Sequence, residues 1–290
     1  MWISDKWQDY ELLDCGDGER LERWGKYRLV RPDPQAIWDK ARPGMREWQA
    51  PDARYLRSSS GGGKWQIAAL PPQWQISYGE LTFRLKPMNF KHTGLFPEQA
   101  VNWDFIRAMI AASKRKISVL NLFAYTGGAT LAAASAGAEV CHVDAARGMV
   151  AWARENAAVS GLERASVRWI VDDCKKFLER EIRRGRKYDA IIMDPPSYGR
   201  GPSGEVWKIE DDVYDFIRLT LGVLSDKPLF YIVNSYTAGL SPSVMRYILG
   251  RLLTGRYGGA VECEELGLPV TETGLVLPCG STAIWSGEPV

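Results

Sequence analysis

Four short runs hold the residues whose types and spacing could do chemistry. They are Asn121-Leu122-Phe123-Ala124-Tyr125-Thr126-Gly127-Gly128, then Asp144, then Asp172-Asp173-Cys174, then Asp194-Pro195-Pro196-Ser197-Tyr198. A glycine turn that opens a helix lets backbone approach a ligand with its first N–H groups directed at it. The turn lacks the G-x-G-x-x-G spacing of dinucleotide sites, which disfavours a pyrophosphate cradle. Asp144 can accept from both hydroxyls of a ribose, or cap the helix that follows near Met149. Asp173 can meet the edge of a nucleobase, or cap the helix that starts near Lys175, and the two roles are compatible. The most specific run is the last. Two prolines fix the backbone and remove two donors, so that an acid, Asp194, and a planar ring, Tyr198, are aimed at one place. An aromatic ring is a natural platform for a base.

The elements that must position these runs alternate. Apolar segments end at each of them: Ile117–Phe123, Ala138–Asp144, Val167–Val171 and Tyr188–Met193, with a fifth at Leu229–Asn234. Helical patterns intervene at Ala129–Ala136, Met149–Ser160 and Lys175–Arg184, with others at Asn102–Ser113 and Val244–Leu253. This alternation predicts an α/β domain with a mostly parallel sheet, and ligands in such sheets sit at the carboxyl ends of the strands. The helix-free tail, Val261–Leu266 and Leu275–Trp285, predicts an antiparallel edge hairpin, seven strands in all. Ahead of this lies a Trp-, Pro- and Gly-rich segment. Its candidate strands are Tyr27–Val30, Trp65–Leu70 and Ile76–Leu85, the last with Tyr78-Gly79-Glu80 as a turn or a bulge. The expected division is a small β-rich module over 1–88 and an α/β domain over 89–290, with Ser58–Gly63 as a connector or hairpin tip.

Of the 290 residues, 46% are hydrophobic and 25% charged, the profile of a globular chain with an ordinary core. The net charge of +2 does not by itself argue for a nucleic-acid partner. Cys15, Cys141, Cys174, Cys263 and Cys279 are spread without a CxxC pair, and only His92 and His142 could supplement them. A disulfide framework or a metal site is not expected. With no signal-peptide pattern and no long apolar run, the expected setting is cytoplasmic, with no membrane partner.

The ordered set NLFAYTGG, HVDAA, DDCKKFL and DPPSY resembles class I S-adenosylmethionine (SAM)-dependent methyltransferases, which have a Rossmann-like fold. It resembles in particular the bacterial large-subunit (23S) ribosomal RNA group that includes cytosine-C5 and guanine-N7 enzymes. A further segment, His92-Thr93-Gly94-Leu95-Phe96-Pro97-Glu98-Gln99-Ala100, is similar to that group's KTGFFLDQR, with His, Glu and Ala in place of Lys, Asp and Arg. The resemblance spans residues 88–285. It implies SAM as cofactor and RNA as substrate. It places Phe123 to Gly127 at the methionine end, Asp144 at the ribose, Asp173 and Cys174 at the adenine, and Asp194 at the methyl. It extends the cofactor set to Thr93, Gln99, Asn121, Gly128 and Ala145, and gives a catalytic set of Asp194, Pro195, Tyr198 and Asn234.

One departure bears on the chemistry. Cytosine-C5 members carry a cysteine after strand five, whose thiolate adds to the ring. Here that turn is Asn234-Ser235-Tyr236. The expectation is therefore transfer to a base nitrogen, with Asn234 orienting the base edge. Competing readings are a small-molecule or protein methyltransferase, a non-catalytic SAM- or RNA-binding module, and, more weakly, a nicotinamide-dependent dehydrogenase. The clusters Lys114-Arg115-Lys116 and Arg183-Arg184-Arg186-Lys187 could meet RNA or simply face solvent. Gly199–Gly204 (GRGPSG) could gate the substrate or serve as a plain surface loop.

Overall fold

The structure, a computed structural model, describes residues 1–58, 62–200, 206–237 and 239–287. The centre of the glycine tip (59–61) and most of GRGPSG (201–205) lie outside them. Backbone contacts divide the chain into two compact units. One is built from 2–101 and 266–279; the other from residue 1, 102–265 and 280–290.

In the first unit a five-stranded sheet runs in sequence order. Its strands are β2 (Tyr10–Gly16), β3 (Glu19–Trp24), β4 (Tyr27–Pro32), β5 (Ala53–Arg57) and β6 (Gly63–Ile67). A short helix, α1 (Arg46–Gln49), lies between β4 and β5. A separate antiparallel hairpin joins β7 (Trp74–Tyr78) to β8 (Leu81–Leu85). Of the turn and the bulge the sequence allows at Tyr78-Gly79-Glu80, the structure has the turn, with Gly79 at φ +55°. Leu81, Phe83 and Leu85 share the buried face. The segment 266–279 is stitched in by backbone bonds from Thr271 to Leu12 and from Glu272 to Leu13, at 2.9 and 3.0 Å. A buried ionic network links the first three strands of the five-stranded sheet. Glu22 accepts from Arg31 through both carboxylate oxygens, at 2.6 and 2.7 Å, and from Tyr10 Oη at 2.8 Å.

The second unit carries the α/β pattern. β9 (Ser118–Leu122), β10 (Glu139–Asp144), β11 (Val167–Val171), β12 (Ala190–Met193) and β15 (Phe230–Ser235) pair in parallel, in the order β15-β12-β9-β10-β11. β12 and β15 are buried along their whole length, as parallel strands covered on both faces must be. The helices α2 (Ala100–Ala112), α3 (Gly128–Ser135), α4 (Arg147–Val159) and α5 (Cys174–Arg183) lie within two residues of the expected bounds. A three-residue hairpin, β13 (Tyr198–Arg200) with β14 (Val206–Lys208), and helix α6 (Ile209–Thr220) fill a stretch the sequence reading leaves unassigned. Helix α7 (Pro242–Leu249) runs on into a wider turn at Gly250–Thr254.

β17 (Val276–Ser286) runs antiparallel to β15, as expected, with β16 (Ala260–Pro269) on its far side. The sheet has eight strands rather than seven. β1 (Trp2–Ile3) adds in parallel to β16, opposite Leu266 and Gly267. Two residues are too few to show any period, so this strand exists through its pairing and not through its own pattern.

Candidate active site

The registers of β9, β10 and β12 bring three of the four runs together. Leu122 pairs with Val143 on one side and Met193 on the other. The next residue, Phe123, is therefore flanked by Asp144 and Asp194 on the neighbouring strands, whose backbones lie roughly 10 Å apart. The Asp194 N–H reaches the Leu122 carbonyl at 3.5 Å and the Ala124 N–H reaches the Val143 carbonyl at 3.1 Å. On the outer strand Asp144 pairs with Val171, and the Asp172 N–H donates to the Asp144 carbonyl.

The glycine turn is bent by three left-handed residues: Phe123 at φ +55°, Tyr125 at +50° and Gly127 at +91°. Positive φ in two aromatic residues is costly, and such strain persists where surrounding structure enforces it. Here the Tyr125 N–H donates to Asp144 Oδ2 at 2.9 Å, and Asn156 Nδ2 of α4 donates to the Thr126 carbonyl at 2.9 Å. Gly128 opens α3 under the Trp103 ring; a Cβ there would lie 2.6 Å from Cζ2. Asn156 and Trp103 are absent from the sequence-based site; only their place on the α4 and α2 faces could have pointed to them.

Asp144 accepts one backbone N–H on each oxygen, from Tyr125 and from Ala146, the latter at 2.8 Å. Burial pushes its pKa up, against those two N–H groups. Ala145, between them, is exposed. Asp173 caps α5, its Oδ1 accepting from Lys176 N at 2.9 Å. Asp172 is engaged by Arg180. Cys174 is buried, and its thiol is pushed up by burial despite a hydrogen bond with the Phe123 backbone.

On the other side of Phe123, Pro195 is buried while Pro196, Ser197 and Tyr198 face outward, Tyr198 at 52% exposure. Trp207, which the sequence reading passes over, fixes this corner. Its Nε1 donates to the Pro196 carbonyl at 2.6 Å, and its ring packs on Phe123 and Phe216 at 5.9 and 5.5 Å. Thr237 Oγ1 donates to Ser197 Oγ at 2.5 Å.

Other expected residues are placed elsewhere or are committed to partners. Asn121 donates to Thr130 Oγ1 at 2.9 Å, inside the domain. Asn234 is buried, with its Oδ1 accepting from Asn102 at 3.0 Å. Thr93 and Gln99 are buried within the other compact unit. The two basic clusters precede β9 and β12 and so lie at the amino ends of these strands, away from Asp194. Arg115 there pairs with Asp189 at 2.7 Å, and Arg184 with Glu181 at 3.1 Å.

The profile of the SAM-dependent methyltransferase family matches residues 50–222. The chain belongs to this family. A SAM-dependent methyltransferase from Agrobacterium tumefaciens is 37% identical, with a TM-score of 0.91 over 99% of this chain and 93% of that one. A methyltransferase from Streptococcus mutans, at 19% identity and TM-score 0.74, shows the same fold. Among curated relatives, the ribosomal RNA large subunit methyltransferase K/L of Syntrophotalea carbinolica is 30% identical over 183 residues, 62% of this chain and 25% of the relative. That of Chromohalobacter salexigens is 31% identical over the same length. The chain spans about a quarter of the length of these relatives.

The donor set fits the family's cofactor. A carboxylate with one backbone donor per oxygen keeps lone pairs for two ribose hydroxyls. A capping Asp173 has a second oxygen for a nucleobase amine. SAM supplies a methyl group on a positively charged sulfur, and the chain's task is to bind and align it.

Proposed function

We propose that this methyltransferase modifies a base in RNA, with ribosomal RNA as the substrate, at a ring or exocyclic nitrogen. The observation that carries the RNA reading is the likeness, over 183 residues, to the large-subunit ribosomal RNA methyltransferases K/L. The DPPSY corner supports it. Tyr198 offers an exposed ring four residues after Asp194, which can accept a hydrogen bond from an amino acceptor and hold its proton.

The preference for nitrogen rests on the thiols. Carbon-5 chemistry needs a thiolate, and burial raises the pKa of every cysteine in the α/β unit: Cys141 and Cys263 to about 11, and Cys174 further. Cys279 belongs to the other compact unit, and its thiol is also pushed up by burial. A nitrogen lone pair needs alignment and desolvation rather than a covalent nucleophile.

In this reading Asp144 holds the ribose, Asp173 and Cys174 border the adenine, and the Phe123–Gly128 turn holds the methionine end. Thr93, Gln99, Asn121, Ala145 and Asn234 stand as second-rank candidates, Asn234 with only its Nδ2 donor left to offer a base. We also propose a division of labour between an N-terminal module over 1–88 and the methyltransferase domain over 89–290, and a cytoplasmic setting. Among the described residues, no helix is long and apolar enough to cross a membrane.

The test is mass spectrometry of ribosomal RNA from a strain lacking the protein, with re-methylation of that RNA in vitro by the pure enzyme and labelled SAM. One missing methylated nucleoside, restored in vitro, is the expected result. An unchanged modification profile with no label transferred to RNA would refute the reading.

A further inference from the structure

The net charge of +2 hides an asymmetry. Over residues 53–97, Arg54, Arg57, Lys64, Arg84, Lys86 and Lys91 stand against a single acid, Glu80. This stretch is thus strongly basic within a nearly neutral chain, and it lies wholly in the N-terminal compact unit. Arg54 is paired with Glu19 at 2.7 Å. Arg57 and Lys64 are exposed and come together at one end of the β5–β6 ladder, where Arg57 pairs with Gly63 and Leu56 with Lys64.

Beside them an aromatic ring is held outward by a built scaffold. Gly63 leaves room for the Tyr55 ring, since a Cβ there would lie 2.7 Å from it. Tyr55 meets Trp65 edge-on at 5.5 Å. Trp65 Nε1 then donates to the carbonyls of Met88 and Phe90, at 2.9 and 3.2 Å, and Tyr55 Oη donates to the Asn89 carbonyl at 3.4 Å. Three successive carbonyls are therefore anchored on one side, while the Phe90 ring stays 61% exposed. The next residue, Lys91, donates to the Pro32 carbonyl at 3.0 Å, and its own carbonyl accepts from Arg31 at 3.2 Å. Burial, with Arg20, Arg31 and Arg57 nearby and only Asp33 opposing, lowers the Lys91 pKa to about 8. Cation crowding of this kind is relieved by an incoming anion.

We propose that Phe90 with Arg57, Lys64 and Lys91 forms a docking face for a single-stranded stretch of the RNA substrate. The ring stacks on a base and the cations meet the flanking phosphates, which is the combination that holds single strands without reading their sequence. The inference rests on the RNA reading above and adds where, outside the methyl-transfer site, the strand is gripped.

The test uses the full-length protein and fluorescence anisotropy of a labelled, mixed-sequence oligoribonucleotide of roughly a dozen nucleotides. Phe90→Ala should weaken binding about 10-fold at every salt concentration, leaving the salt slope unchanged. Arg57→Gln with Lys64→Gln should flatten the slope of log K against log salt by roughly 0.7 for each cation removed. All three side chains are exposed, so melting temperatures should stay at the wild-type value. In the methyl-transfer assay the same variants should raise KM for RNA and leave kcat unchanged. Variants that bind and methylate like wild type overturn the docking face and leave the RNA reading standing. A wild-type protein that neither binds nor methylates RNA overturns both. Binding that polyglutamate and RNA share, with no dependence on Phe90, would mark a plain electrostatic patch for acidic polymers and also overturn the proposal.

Discussion

Trp207 Nε1 donates to the carbonyl of Pro196 at 2.6 Å, while the same indole packs against Phe123 at 5.9 Å. One side chain thus ties the proline corner after β12 to the strained turn after β9. Trp207→Phe keeps the ring and loses the donor. It should lower kcat about 10-fold through misplacement of the corner, with affinity for S-adenosylhomocysteine (SAH) unchanged. Trp207→Ala should lower both, because Phe123 then loses its packing partner. Steady-state kinetics with calorimetric titration of SAH separates the two. Equal loss of affinity in both variants would show that the hydrogen bond does no positioning.

Asp144 is the residue whose charge the bound ribose should depend on. Asp144→Asn should weaken SAH binding by about 1.5–3 kcal/mol, the range for hydrogen bonds to a charged group. Its pKa is raised by burial, so protonation begins above the usual carboxylate range. Affinity should therefore fall as pH drops through that raised value, and the fall should be absent in Asp144→Asn. In the cofactor-free protein the direction is opposite. The folded chain binds this proton more tightly than the unfolded one, so the group favours folding at low pH and that contribution is lost as pH rises. Titrations of SAH across the acid range read the first effect directly.

Gly128 and Trp103 are in a contact that admits no side chain. A Cβ at 128 would sit 2.6 Å from the indole. Gly128→Ala should destabilise the fold by about 1–3 kcal/mol, measured by urea unfolding. Trp103→Phe in the same chain should recover part of that loss, and simple additivity of the two substitutions would contradict the contact.

Glu22 is a fully buried carboxylate with Arg20, Arg31 and Tyr10 around it. Burial alone would raise its pKa; the two guanidiniums outweigh burial and hold it at about 2. The unfolded value lies near 4.3, so the stabilisation is full above that pH and disappears as pH falls through 2. Glu22→Gln should cost about 3–5 kcal/mol at neutral pH, because it leaves buried arginines uncompensated. The same variant should show a flatter loss of stability between roughly pH 5 and 2. A Glu22→Gln protein as stable as wild type would refute the network's role.

The parallel strands β9, β10, β12 and β15 were legible because each is a short, largely buried run, whereas β11 is only partly buried and carries the exposed Arg168. The candidate site was read from the same strand ends: Asp144 closes β10, and the glycine turn and Asp194 follow β9 and β12. What escaped the sequence depends on pairing and not on period. β1 has two residues. β13 and β14 have three each and are recognisable only once Tyr198 faces Lys208. α6 had a readable stripe, with Ile209, Val213, Phe216 and Ile217 buried, but the aspartates between them and the glycine loop before it masked the period. Asn121 and Asn234 stood at suggestive strand positions, yet their side chains point to Thr130 and Asn102. A strand position fixes where a backbone goes, and only neighbours from distant sequence decide whether a polar side chain is spent inside.

The stitching of 266–279 onto Leu12 and Leu13 has a consequence for how the chain is made. The first unit holds its earliest strands long before the segment that completes it has been translated. As the polypeptide leaves the ribosome, β2 must wait with an unsatisfied edge while more than two hundred residues are added. The parallel strands β9 to β15 are contiguous in sequence and can pair in the meantime, but β17, the strand that covers β15, is translated later still. Both units are therefore completed only by the C-terminal tail, so a stalled or truncated product would leave an open edge in each, at β2 in one and at β15 in the other.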